Sequence, residues 1–269
     1  MARHGALVML LSAIALASCG PSGETPRAGE PIEAVYQRGH RLYLTMDLEG
    51  AEPELLRAVA LDSSYVEPLV DLGSLSYDLG RRSEGEKNPR RVEKFTLARK
   101  YFARAEALGY RDETVYERLC ELSLALDDAR GFLTYAKKTV MLYPFDRQFY
   151  NLGVAYFGVE DWQGVIKSQK EAVEKFRGSP YLGGFYRQMG RAYMKLDRDQ
   201  TAERTLATGV QAIDARMAAN AGLSGDERKR LQDDRIGMLL LLKRLHATYG
   251  AAEKLANVER QLKESGYQK

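Results

Sequence analysis

Residues 149–176 read FYNLGVAYFGVEDWQGVIKSQKEAVEKF. The stretch reads as helix almost throughout, yet Gly153 sits near the middle of its first half. A glycine inside a helix costs about 1 kcal/mol relative to alanine, so packing has to offset it. Small residues recur at equivalent places along the chain: Gly39, Gly73, Cys120, Gly153 and Gly190, at spacings of 34, 47, 33 and 37 residues. The pattern predicts pairs of antiparallel helices. The small residue on the first lets the second approach, and larger neighbours such as Leu152 and Tyr156 fill the remaining space.

A period near 34 with a small residue in the first helix resembles the tetratricopeptide repeat. Phe149, Leu152, Gly153 and Tyr156 match the W-x₂-L-G-x₂-Y half of that motif, with Phe for Trp, and Ala172 holds the small position late in the second helix. Val165 and Gln169 depart from the usual Ala and aromatic. Gly39, Ala51, Leu55 and Ala58 keep the same offsets in a first copy, and Gly73 opens a second that resumes at Ala98, Phe102 and Ala105. Tyr116, Leu119 and Cys120 open a third, ending at Pro144, and Gly190, Tyr193, Ala202 and Leu206 mark a fifth. The resemblance covers residues 32–212. It implies an all-α superhelical solenoid of antiparallel helix pairs, since no unit buries its apolar face alone.

The 47-residue spacing implies a 13-residue insertion near 81–94, between the two helices of the second repeat. Its sequence RRSEGEKNPRRVEK carries a net charge of +3. It reads as a solvated loop, or as a contact for anionic headgroups or an acidic partner. After residue 212 the repeat fades, and residues 213–269 read as C-terminal capping helices. Ser224 is the N-cap of a long helix, and Ala251, Leu255, Val258 and Leu262 form the apolar stripe of a last one.

The chain begins MARHGALVMLLSAIALASC. A basic start, a short apolar core and small residues at the end are a secretory signal. Leu16-Ala17-Ser18-Cys19 resembles the lipobox of bacterial lipoproteins. That resemblance implies cleavage after residue 18, lipidation of Cys19 and an anchor of several acyl chains. Gly20, rather than Asp, in the next position points to the periplasmic face of the outer membrane by the sorting rule of enteric bacteria. Residues 19–30 then form a flexible Gly- and Pro-rich tether from the anchor, and residues 31–212 form the array of about five repeats. With Cys19 modified, Cys120 has no disulfide partner and reads as a small buried side chain.

Composition and motifs narrow the function. The chain has 45% hydrophobic and 29% charged residues, and 40 basic against 37 acidic side chains. That balance argues against a nucleic-acid partner. No H-E-x-x-H, paired C-x-x-C, phosphate-binding G-x-x-x-x-G-K or G-x-S-x-G occurs, so no catalytic residue, metal, cofactor or small-molecule substrate is expected.

In tetratricopeptide proteins the first helices line a concave groove. The matching positions here include Tyr36, His40 and Tyr43, then Tyr77, then Glu117 and Glu121, then Tyr150 and Phe157 with Asn151 nearby, then Arg187 and Arg191 with Lys195 one turn further on. The recurring aromatics suit an extended peptide or a helix, and the Arg187–Arg191–Lys195 row suits acidic side chains. The Lys and Asn set of the chaperone-binding carboxylate clamp is absent. The whole resembles a lipid-anchored tetratricopeptide lipoprotein that binds a protein partner in the envelope. The pilotins that assist type IV pilus secretins fit its length, lipobox and repeat number best. Adaptors for peptidoglycan hydrolases and parts of outer-membrane protein assembly are alternatives within this architecture. An enzyme or sugar-binding module on the same scaffold is the alternative of another class.

Overall fold

A computed structural model describes residues 29–219 and 222–267. The signal and Cys19 lie outside the described residues, as does nearly all of the tether. Twelve α-helices account for the regular structure of the described part, and no strand occurs in it. They pair as antiparallel hairpins: α1 (Ile32–Leu44) with α2 (Leu48–Leu61), α3 (Val66–Arg82) with α4 (Pro89–Ala107), and α5 (Glu113–Ala125) with α6 (Ala129–Leu142). α7 (Asp146–Gly158) pairs with α8 (Trp162–Lys175), α9 (Leu182–Lys195) with α10 (Asp199–Ala218), and α11 (Gly225–Thr248) with α12 (Ala252–Glu264). Each hairpin packs on the next, so the apolar core is a strip running the length of the stack.

Within each hairpin the contact point is a pair of residues sixteen positions apart. A Cβ on Gly39 would stand 3.0 Å from the Leu55 side chain, and one on Gly73 would stand 2.6 Å from the Phe102 ring, across the insertion. Leu206 blocks the same space over Gly190, and Gln169 blocks it over Gly153. The third hairpin differs, with Cys120 on the first helix and Ala136 on the second.

The turns are as regular as the contacts. Met46, Asp127, Glu160 and Asp197 all have φ between 55° and 64°. They stand seven residues after Gly39, Cys120, Gly153 and Gly190, where the chain reverses. Three of them are followed by an aspartate whose carboxylate caps the second helix. Asp47 accepts from the Gly50 N–H at 3.0 Å, and Asp128 and Asp161 accept from Gly131 and Gly164 at 2.8 Å. The glycine at the third helical position leaves room for the capping carboxylate, which a Cβ would meet.

The insertion is not a thirteen-residue loop. α3 and α4 have 17 and 19 residues, against 13 or 14 in the hairpins α1–α2, α5–α6 and α7–α8, so most of the excess adds about one turn to each helix. Gly80 repeats the packing of Gly73 one heptad on, against Phe95 instead of Phe102. Only residues 83–88 are left as a connection, closed by Asn88, which caps α4. The basic residues are therefore mostly helical: Arg91 lies 5.0 Å over the Phe95 ring, and Lys94 reaches Glu52 at 3.6 Å.

Beyond residue 212, α10 continues to Ala218, and Ser224 and Glu227 form a reciprocal capping box that starts α11. The α11–α12 turn again has a positive φ, at Gly250. Counting back seven residues gives Lys243 at the marker position, and sixteen forward from there gives Glu259. The two form an ion pair at 2.8 Å. The capping helices thus keep the hairpin register, with an ionic pair in place of the small–large one.

Candidate functional site: the inner face

The first helix of each pair lies inside the curve of the stack, where α1 touches α3, α7 touches α9 and α9 touches α11. Much of the polar surface there ties one first helix to the next. His40 Nδ1 lies 2.7 Å from Asp71, and the Tyr43 hydroxyl donates to Asp78 at 2.9 Å. The Tyr77 hydroxyl donates to Glu121. Gln148 donates to Glu113 at 3.0 Å, and Arg147 pairs with Glu117 at 3.2 Å. Gln188 donates to the Tyr150 carbonyl at 3.3 Å, and Arg187 pairs with Asp234 at 3.1 Å. Burial pushes the carboxyls of Asp71 and Asp234 above their ordinary range, against the pull of His40 and Arg187.

These contacts reassign several groove residues. Tyr36 is buried between repeats, edge-on to Tyr65 at 5.3 Å and tilted on His40 at 5.4 Å. Tyr77 is also buried, stacked 5.8 Å from Phe95 with the Arg118 guanidinium 4.8 Å above it. His40 and Tyr43 are committed to the neighbouring helix. The basic row divides. Arg187 is held by Asp234, whereas Arg191 lies 4.2 Å over Phe157 and Lys195 lies 5.8 Å over Trp162. Among the described residues no carboxylate pairs with Arg191 or Lys195. Asp234 lies on α11, one hairpin beyond Arg187 and past the point where the repeat pattern fades, so spacing alone does not pair the two.

What remains open is a trough across α5, α7, α9 and α11. One part, about 170 Å³, lies between α5, α6 and α7 and is lined by Glu117, Glu121, Leu124, Phe132, Gln148 and others. The second, about 630 Å³, is walled by Tyr150, Tyr181, Arg187, Lys229, Arg230 and the acids of α11. Arg147 and Asn151 line both, so the two parts adjoin at these residues. Tyr150 and Tyr181 meet at 5.2 Å, and Arg230 covers Tyr181 at 4.4 Å. Cys120 lies under the smaller part. Burial pushes its thiol up to about 12, which keeps it protonated and removes it as a nucleophile at neutral pH.

No protein-family model matches the chain, and no curated protein matches it. Solved structures do. MamA superposes with a TM-score of 0.51 at 15% identity, over 72% of this chain and 96% of that one. YrrB, described as a TPR protein with an unusual peptide-binding site, also gives 0.51 at 15% identity, over 68% and 86%. The helix pairing, the repeated turn and these superpositions together establish the fold of this chain as a tetratricopeptide-repeat solenoid.

Proposed function

We propose that this protein is a non-catalytic, lipid-anchored adaptor that holds a segment of a protein partner in its inner trough, on the periplasmic face of the outer membrane. The observation that carries the reading is the pair of pockets that adjoin at Arg147 and Asn151 and together form the trough. It runs across successive repeats, carries aromatic and charged walls, and suits an extended chain better than a compact small molecule. YrrB offers a peptide-binding site on the same fold. The anchor and the location rest on the lipobox at 16–19 and on Gly20. Within that setting the reading extends to assembly of an envelope complex, with a type IV pilus secretin as the leading candidate partner.

The test is photo-crosslinking in cells from Asn151, with Lys170 on the exposed side of α8 as the control position. Capture of a secretin subunit from Asn151 assigns the trough to pilus assembly. Capture of a murein hydrolase makes the protein a recruiting adaptor. Products from Lys170 alone would place binding on the outer face and sink the proposal.

A further inference from the structure

Four hairpins put a glycine against a larger side chain at the sixteen-residue pair: Gly39–Leu55, Gly73–Phe102 across the insertion, Gly153–Gln169 and Gly190–Leu206. The third hairpin has Cys120 and Ala136 instead, so no long side chain projects from α6 at this position. A cavity of about 170 Å³ lies beside the pair, with Cys120, Phe132 and Ala136 in its wall and Glu117, Gln148 and Asn151 in its polar lining. That volume has room for one apolar side chain from outside, at a point where Leu124 is also 52% exposed.

The rim specifies what accompanies that side chain. Glu117 and Glu121 stand one helical turn apart on α5 and both line the cavity. Glu121 takes the Tyr77 hydroxyl and has no ion-pair partner among the described residues. Glu117 has one contact with Arg147, whose side chain is 53% exposed. Gln148 lines the same cavity at 4% exposure, and its Oε1 has no hydrogen-bond partner. A backbone N–H of an extended segment meets that oxygen once the amide turns toward the cavity.

We propose that the cavity beside Cys120 and Ala136 is the anchor pocket of the trough. It takes an aliphatic or aromatic side chain of a partner segment whose neighbouring residue is Lys or Arg, gripped by Glu121 and Glu117. This rests on the trough being the binding surface, and it names the partner's chemistry and register.

The test pans a phage-displayed random peptide library against the full chain. Selected peptides are then measured on two variants. Ala136→Leu adds three heavy atoms at the cavity wall while Cys120 stays in place, so it fills the cavity itself. Its helicity and melting are checked first. Glu121→Lys reverses the rim charge.

The expected result is a shared apolar residue beside Lys or Arg, and binding to the filled variant weaker by about tenfold or more, the scale of one buried aliphatic side chain. Repanning on Glu121→Lys then selects Asp or Glu in place of the base. Peptides that bind the filled variant as tightly as wild type, yet are blocked by Asn151→Arg, overturn the anchor pocket and leave the trough standing. If no selected peptide is sensitive to Asn151→Arg, the trough itself falls as a binding surface.

Discussion

The Gln188 side chain occupies the space that a Cβ on Gly153 would need, and it reaches there from the following hairpin. Gln169, from Gly153's own hairpin, crowds that space from the other side while donating to the Phe149 carbonyl at 2.8 Å. Gly153 is therefore a three-helix contact, and its absent side chain accommodates two buried amides. Gly153→Ala should displace both amide ends and break their backbone hydrogen bonds. A net loss of about 1–3 kcal/mol is expected after the gain in helix propensity. Gly158 has only Ala129, at 3.9 Å, near its would-be Cβ. Gly158→Ala should leave stability unchanged or raise it by about 0.5 kcal/mol. Urea melts of the two variants decide the matter, and equal destabilisation would contradict the packing role given to Gly153.

The repeated turn separates two effects at adjacent residues. Asp161 caps α8 and is not replaceable by Ala without loss, expected at about 1 kcal/mol. Glu160 holds φ at 59°, where a side chain is strained. Glu160→Gly should be neutral or stabilising by up to about 1 kcal/mol, since relief of strain exceeds the added freedom of the unfolded chain. In thermal melts of the two single variants, only Asp161→Ala should fall below wild type.

Asp234 gives a pH dependence of definite sign. Burial raises its folded-state pKa above the unfolded value, and Arg187 and Arg230 offset this only in part. Between the unfolded pKa and the raised folded one, the native state holds the proton more tightly, so this group's contribution to stability falls as pH rises. Relative to Asp234→Asn, the wild type should lose stability on going upward from about pH 4. Glu203 should behave oppositely. Lys254 and His246 hold its carboxyl low, so its contribution is present above the unfolded pKa and lost as pH falls through the folded one. Denaturant melts across that range, on wild type and each single Gln or Asn variant, read both slopes.

Cys120 should resist alkylation. Its thiol is 8% exposed and pushed up to about 12, so little thiolate forms at pH 8. Iodoacetamide followed by mass spectrometry should show slow modification of the peptide containing Cys120 in the native protein and fast modification in urea. Equal rates would mean that the third hairpin opens readily.

The hairpins were legible where packing uses apolar size, because Gly against Leu or Phe at a fixed offset leaves a mark in the sequence. Three things left fainter marks. The last hairpin uses Lys243 and Glu259 at the same place, and a charged pair resembles ordinary helix surface. The insertion looked like a loop because Gly85, Asn88 and Pro89 are breakers, yet they occupy only the tip of two lengthened helices. The capping signature was present as DLEG, DARG and DWQG, an aspartate and a glycine three residues apart, at 47–50, 128–131 and 161–164. The inner face was the least legible part. Position alone said which residues face inward, but not that Tyr36, Tyr77 and Arg187 would be committed to neighbouring helices.

The polar ties along the inner wall also have a mechanical meaning. A superhelix flexes like a coil spring, and bending it shortens or lengthens the distances between successive turns on the inside. Apolar contacts slide with little penalty, but a hydrogen bond tolerates only a few tenths of an ångström before it weakens. His40–Asp71, Tyr43–Asp78 and Tyr77–Glu121 therefore stiffen the coil from α1 to α5. The Arg147–Glu117 contact has its arginine half in water, and an exposed pair of that kind contributes little rigidity. The step from α5 to α7 is held instead by Gln148, 4% exposed, whose amide donates to Glu113 at 3.0 Å, so the inner wall stays sprung at fixed spacing where the two parts of the trough meet.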